Sequence, residues 1–424
     1  MRVLLISANR EDINMRAWPL GLASVAESVR RSEHKLEILD LMSTEDPENS
    51  IRKVLNNFQP QVIGLSLRNI DTQKMSEPTF FLDGVREIVA DCRDRSDAPI
   101  VLGGAGYSIY PSSLLEYLEA DMGIQGEGEF AFSELIKRIE HGDALYGSPG
   151  LYLPKLGSSG PMRLERDLDN LPLPDVEYFS NLIPQAPDFW LPVQTRRGCP
   201  MNCSYCSTGA IEGLTLRKRT PAKVVEWLSQ WRQIGVRQFY FVDNTFNLPP
   251  SYATEFVSKL READLGVSWR CIIYPTRIDP ELVRLMAEAG CKEVSVGFES
   301  GSTYILNGMN KKFSLDDVRH TCDSLAEFGI KRMGFLMLGG PGETLESSIE
   351  SLQFADSLNL DMVKVTVGIR IYPGTTLAQT AVRDKIIEPT DNLLKPGFYL
   401  VPSLNGLLQN TVKEWMAKRP NWIS

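Results

Sequence analysis

Short apolar runs alternate with helix-period segments twice along this chain, and that alternation limits the fold more than any other feature. In residues 1–145 the apolar runs fall at 3–6, 36–39, 62–66, 100–103 and 122–125. Between them lie 20–31, 50–57, 81–92 and 112–119, whose apolar residues recur near helical spacing. Runs that are apolar at nearly every position are strands buried on both faces, so the expected sheet is parallel with helices on both sides. Ligands of such a sheet bind beyond the carboxyl ends of its strands. Small residues gather there, as Gly103-Gly104-Ala105-Gly106 after the fourth run and Gly126-Glu127-Gly128-Glu129 after the fifth.

From 148 to 190 the chain turns rich in Pro, Gly and Leu, including LDNLPLPDVEYF at 168–179, and this predicts a linker. A second series follows, with strands expected at 193–197, 238–242, 268–274, 293–298, 332–338 and 363–371. Helical patterns at 221–233, 251–264, 280–289, 314–328 and 344–358 separate them. Six strand–helix units fall short of a closed eight-stranded barrel, so a partial, open (β/α) barrel is expected. The predicted organisation is therefore 1–147, a linker at 148–190, a barrel at 191–383 and a C-terminal segment at 384–424, with an irregular cap and a polar end.

Charge and cysteine usage narrow the function. The 45 basic and 54 acidic residues leave a net charge of −9, which argues against nucleic acid as the main partner. No apolar run approaches the roughly 20 residues that span a bilayer, and acidic residues follow the first apolar stretch where a signal peptide would carry its cleavage site. A cytoplasmic protein is expected. Seven cysteines, three of them within eight residues, suit metal binding in a reduced compartment better than a disulfide framework.

Those three occur in Arg197-Gly198-Cys199-Pro200-Met201-Asn202-Cys203-Ser204-Tyr205-Cys206. Thiolates at C-x3-C-x2-C spacing can hold three irons of a [4Fe–4S] cluster from one short loop. The missing fourth ligand leaves one iron open to an arriving molecule, as an open position does at a catalytic zinc. A zinc site would want a further Cys or His at regular spacing, and His34, His141 and His320 all lie far from the triplet in sequence. Cys271, Cys291 and Cys322 read as core thiols, and Cys92 as incidental.

With these motifs in this order the sequence resembles the radical S-adenosylmethionine (SAM) superfamily. Its N-terminal part, through PLGLASVAESV, PQVIGLS, GGAGYS and GEGE, is similar to the cobalamin-binding domain of the cobalamin-dependent members. The resemblance implies an α/β protein: a Rossmann-like, flavodoxin-type cobalamin-binding domain, then a partial (β/α)6 radical SAM barrel and a short C-terminal segment. It implies a [4Fe–4S] cluster on Cys199, Cys203 and Cys206. SAM would be held by Tyr205, Asp243, Asn244, Arg277, Glu299, Ser300, Gly339 and Gly340, which sit in the loop or at predicted strand ends. Each also has a plain reading as a turn or N-cap residue. Glu299 stands out, because an acid closing an apolar strand needs a partner.

Cobalamin would be held by Pro19, Ser66, Arg68, Asn69, Gly103, Gly104, Gly106, Tyr107, Gly126, Glu127 and Gly128. The DxHxxG motif that gives cobalt an axial histidine in many cobalamin proteins is missing, so a base-off cofactor is expected, with Arg68 and Asn69 below the corrin. The implied activity is C-methylation of a small-molecule substrate, using SAM and methylcobalamin, with an electron donor such as flavodoxin or ferredoxin. Other readings are radical oxidation, cyclisation or rearrangement, a polar methyl transfer from cobalamin, and a non-catalytic cobalamin-binding protein. Methylthiotransferases are set aside, since their N-terminal domain carries three further cysteines and this one has only Cys92.

Overall fold

A computed structural model describes residues 1–11, 18–184, 186 and 188–424. The chain forms two compact units. The first comprises Met1–Thr72, Thr79–Phe189 and Ser207–Gly213, and the second Gln73–Pro78, Trp190–Cys206 and Leu214–Ser424.

In the first unit the strands are β1 (Arg2–Ser7), β2 (Lys35–Asp40), β3 (Val62–Ser66), β4 (Ile100–Gly103) and β5 (Met122–Ile124). They are parallel in the order β2-β1-β3-β4-β5, the doubly wound order of flavodoxin-type folds. The helices are α1 (Leu20–Arg31), α2 (Pro47–Phe58), α3 (Leu82–Arg93), α4 (Ala105–Ile109), α5 (Pro111–Leu118) and α6 (Gly128–His141). β1 and β3 are buried along nearly their whole length, as their unbroken apolar sequence requires.

The Pro- and Gly-rich stretch after residue 147 adds two short strands to this sheet. β6 (Leu151–Leu153) pairs antiparallel with β5, and β7 (Gly157–Ser158) with β6. Strands of three and two residues are too short to show a period. Two single-turn helices, α7 (Val176–Phe179) and α8 (Thr208–Glu212), also belong to this unit.

The second unit opens with β8 (Leu191–Val193) and the hairpin of β9 (Arg196–Arg197) and β10 (Arg217–Lys218). Then follow α9 (Pro221–Gln233), β11 (Gln238–Phe241), α10 (Pro250–Glu262), β12 (Ser268–Ile273), α11 (Pro280–Glu288) and β13 (Cys291–Glu299). The series continues with α12 (Thr303–Gly308), α13 (Leu315–Glu327), β14 (Lys331–Leu338), α14 (Leu345–Ser357) and β15 (Met362–Val367). β8, β11, β12, β13, β14 and β15 run parallel in sequence order, which is a six-stranded open barrel. Proline at the first helical position starts α9, α10 and α11, where its missing N–H has no partner to lose. Capping boxes start α13 (Ser314 and Asp317) and α14 (Thr344 and Ser347).

Strand β12 shows why one face of the sheet is closed and the other open. Trp269, Cys271 and Ile273 are buried, and Trp269 Nε1 donates to Ala289 O at the end of α11. Ser268, Arg270 and Ile272 alternate with them and are half-exposed.

The end of the chain is more ordered than its composition predicts. After β16 (Ile369–Arg370), α15 (Thr376–Arg383) and β17 (Phe398–Tyr399) come α16 (Leu407–Met416) and β18 (Trp422–Ile423), which joins the sheet beside β15. Arg419 grips Asp356 through Nε and Nη2 at 2.5–3.0 Å and lies 4.3 Å over the Trp415 ring. Among the described residues no helix is long and apolar enough to cross a membrane.

Candidate functional site

The three clustered cysteines lie in a loop that begins where the first barrel strand ends. Its entry is fixed by Asp243, which follows β11. Asp243 accepts from Thr195 N (2.7 Å), Thr195 Oγ1 (2.6 Å), Arg196 N (2.9 Å) and Arg196 Nη2 (2.9 Å). Asp243 and Arg196 are each 1% exposed. The Arg196 guanidinium is also covered by the Phe246 and Tyr252 rings at 5.0 and 4.8 Å. Both Asp243 oxygens are thus committed inside the protein. The loop winds through positive φ at Gly198 (85°) and Asn202 (48°).

A second segment braces the loop from the side. Asn310, itself at φ 60°, donates from Nδ2 to Met201 O (3.2 Å) and Asn202 O (2.7 Å). Ser204 N donates to Met309 O at 3.1 Å, and Leu377 N to Ser204 O at 2.8 Å. Backbone groups of a loop need such partners wherever no strand supplies them. The seven cysteines are thiols. Burial pushes the Cys203 thiol up, the Lys311 charge opposes this, and the nearby Cys206, Glu299 and Cys199 add to it.

Glu299 closes β13 at an irregularity in its pairing with β14 and holds a left-handed φ of 62°. A non-glycine residue there is strained, and a bulge at a strand end re-aims its side chain. Oε1 of Glu299 accepts from the Tyr205 hydroxyl (3.0 Å) and from Lys311 Nζ (3.2 Å). Oε2 accepts nothing from the described residues, and the side chain is 11% exposed. Burial pushes the Tyr205 hydroxyl well above its ordinary pKa, and the Glu299 charge adds to the rise.

The other SAM expectations fall into different settings. Ser300 is fully buried; its Oγ meets Ser351 Oγ at 3.0 Å and accepts from Ser302 N, which ties the end of β13 to α14. Gly339 N and Gly340 N both donate to Glu343 Oε2, at 2.6 and 3.0 Å, so those two donors turn inward. Burial pushes the Glu343 carboxyl up to about 6 against these bonds and one from Ser348. Asn244 is half-buried, and Arg277 is exposed after β12.

In the first unit a cleft opens at the carboxyl ends of β1 and β3, the point where the strand order reverses and doubly wound sheets bind ligands. Arg68 and Asn69 line it, with Asn9 and Arg10 after β1 and Gly84 and Ile88 of α3. Gly103 has open space where a side chain would stand. Gly104 has none: at φ 93° an added Cβ would lie 2.5 Å from Leu67 O. Gly106, Gly126 and Gly128 are likewise closed in, against Ile70, Met162 and Val25. Ser66 Oγ packs under Gly104, Glu127 Oε2 accepts from Glu165 N at 2.7 Å, and Pro19 leads into α1. Tyr107 lies elsewhere than expected. Its ring is 0% exposed and fills the space beside Gly123, so it is core and cannot reach a ligand in the cleft.

Residues 193–355 match the model of the radical SAM superfamily, and residues 7–136 match that of the B12 binding domain. Residues 193–355 thus form a radical SAM domain and residues 7–136 a B12-binding domain. It is 27% identical over 403 residues to an uncharacterised methyltransferase of Pyrococcus horikoshii, covering 91% of this chain and 84% of that one. It is 23% identical to the tryptophan 2-C-methyltransferase of Streptomyces laurentii, covering 89% and 74%. In fold it matches the radical SAM methyltransferase TsrM from Kitasatospora setae, a structure with cobalamin and a [4Fe–4S] cluster bound. The TM-score is 0.88 at 21% identity, over 99% of this chain and 92% of that one.

The residues of the two domains fit a [4Fe–4S] cluster and cobalamin. Among the described residues no three His, Cys, Asp or Glu side chains converge as one metal ion requires. Three thiols on one loop at C-x3-C-x2-C spacing are the donor set of a four-iron cube with one open iron. Among the described residues no histidine lines the cleft of the first unit; His34 meets the amino terminus at 3.0 Å and His320 meets Ile278 O. Sequence reading missed Lys311, Asn310 and Glu343. The signal for the first two was present in GMNKK at 308–312, a glycine–asparagine turn followed by lysines, but nothing in it says which loop the turn meets.

Proposed function

We propose that this chain is a cobalamin-dependent radical SAM C-methyltransferase acting on a small molecule. The observation that carries the reading is the half-satisfied carboxylate of Glu299 beside a loop of three thiols, in a chain that also holds a cleft at the strand-order reversal of a B12-binding domain. Cys199, Cys203 and Cys206 would hold three irons, and Glu299 Oε2 would accept from the amino or hydroxyl groups of SAM. Tyr205 fixes the other Glu299 oxygen. Asp243 and Ser300, whose polar atoms are used internally, would act by shaping the strand ends. Arg68 and Asn69 would face the lower side of a base-off cobalamin, and Gly103 would let the ligand approach the end of β4. Together the bound groups would supply one-electron chemistry and a transferable methyl; the protein contributes positioning and shelter from water.

Relatives named as methyltransferases of tryptophan, hopanoids and bacteriochlorophyllides share the reaction type while differing widely in substrate. A relative named as a magnesium-protoporphyrin cyclase keeps radical cyclisation as the second reading. The electron would come from a small carrier such as flavodoxin or ferredoxin, and three unpaired thiols on one loop fit the reducing cytoplasm.

The test uses anaerobically reconstituted protein, reduced cobalamin and SAM labelled in its methyl group. Label on cobalamin with S-adenosylhomocysteine as co-product is the expected result. SAM cleavage to 5′-deoxyadenosine with no label on cobalamin would favour cyclisation. A loaded protein that consumes no SAM would sink both.

A further inference from the structure

Lys311 is buried where the cysteine loop meets the end of β13. Its side chain is 4% exposed, which is rare for a lysine, whose ammonium usually reaches water. Here the ammonium is met by Glu299 Oε1 at 3.2 Å and lies over the rings of Tyr205, Tyr274 and Phe313 at 5.3, 5.7 and 5.9 Å. Burial works against its charge, but Glu299, Tyr205 and Cys203 outweigh that, and its pKa stands well above the ordinary lysine value. The backbone explains the placement. The left-handed turn at Asn310 clamps the cysteine loop and sends Lys311 inward, while the Lys312 ammonium bonds back to Asn310 Oδ1.

Two consequences follow from this arrangement. With Oε1 taken twice, Glu299 cannot rotate freely, and Oε2 is the acceptor left for a ligand. A permanent positive charge in a dry setting also favours whatever nearby group gains an electron. A methionine or leucine would fill the same ring-lined space without either effect.

We propose that Lys311 is a positioning residue for the SAM site, pinning Glu299 so that Oε2 is presented to SAM, and that its charge eases reduction of the cluster on the cysteine loop. This rests on the reading that Cys199, Cys203 and Cys206 carry that cluster.

The test compares the full-length reconstituted protein with K311M and K311R. The readouts are iron content, the cluster midpoint potential followed by electron paramagnetic resonance, and the change in that spectrum on adding SAM. In K311M the potential is expected to move to more negative values and the SAM dissociation constant to rise at least tenfold. K311R should restore the potential while recovering SAM binding only in part, because a planar fork replaces a point charge. If K311M loses iron, the same comparison is made between E299Q and E299Q/K311M, where a negative shift is again expected. An unchanged potential together with unchanged SAM affinity in K311M, or no shift in the second pair, would overturn the proposal. A wild-type chain that binds no cluster, or whose spectrum ignores SAM, overturns the underlying site reading and this role with it.

Discussion

Asp243 follows β11 and Glu299 closes β13, two strands of the same barrel with β12 between them, yet they end in opposite situations. Asp243 is enclosed with both oxygens saturated by Thr195 and Arg196. Glu299 gives one oxygen to Tyr205 and Lys311 and leaves the other open, on a backbone held at positive φ. The first carboxylate joins two strand ends; the second, held at positive φ, is the one proposed to bind SAM. Position at a strand end is therefore a poor guide to role, and the count of unused oxygens is a better one.

The comparison can be broken at several points. The largest expected effect is in Asp243→Ala, which strands Arg196 in the interior and should cost roughly 3–5 kcal/mol of unfolding free energy in urea titration. A much smaller loss would mean that Asp243 is not the joint it looks like.

Next comes Glu343, the buried acid of the GGPGE loop. Its folded pKa of about 6 lies above the 4.5 of a free glutamate, so the folded state holds that proton more tightly. The stability it contributes is complete below about pH 4.5 and fades as pH rises through 6, by on the order of 2 kcal/mol. Glu343→Gln should flatten that part of the stability–pH curve, measured by unfolding at a series of pH values.

Tyr205→Phe removes one bond to Glu299 Oε1, worth about 1 kcal/mol, and should weaken SAM binding about fivefold by equilibrium dialysis. The same substitution leaving SAM affinity unchanged would blur the contrast between the two carboxylates.

The smallest stability change is expected for Gly103→Ala, within about 0.5 kcal/mol, since only open space faces that site. Its effect should fall on cobalamin titration instead. Gly104→Ala offers the control, because its added Cβ meets Leu67 O and strains the backbone.

Much of the architecture was legible because apolar runs and helical spacing are local signals. The strands and helices of the first unit and the six-stranded barrel followed from them, while the flavodoxin-type order came with the family resemblance and the cysteine loop from its own spacing. The parts that escaped depend on contacts distant in sequence. Lys311 and Asn310 acquire meaning only beside a loop more than a hundred residues earlier. Tyr107 follows a glycine motif and reads as a ligand contact, yet its ring packs on Gly123 in the next strand. Strands β6, β7 and β18, three residues or fewer, carry no period to read.

The central claim is that one chain holds both a cluster and cobalamin. Anaerobic reconstitution with iron, sulfide and hydroxocobalamin, followed by metal analysis and absorption spectroscopy of wild type and Cys203→Ala, tests it most directly. The account predicts about four irons and roughly one base-off cobalamin per chain, with iron lost and cobalt kept in the variant. Iron without cobalt, or a histidine-ligated cobalamin spectrum, would contradict it.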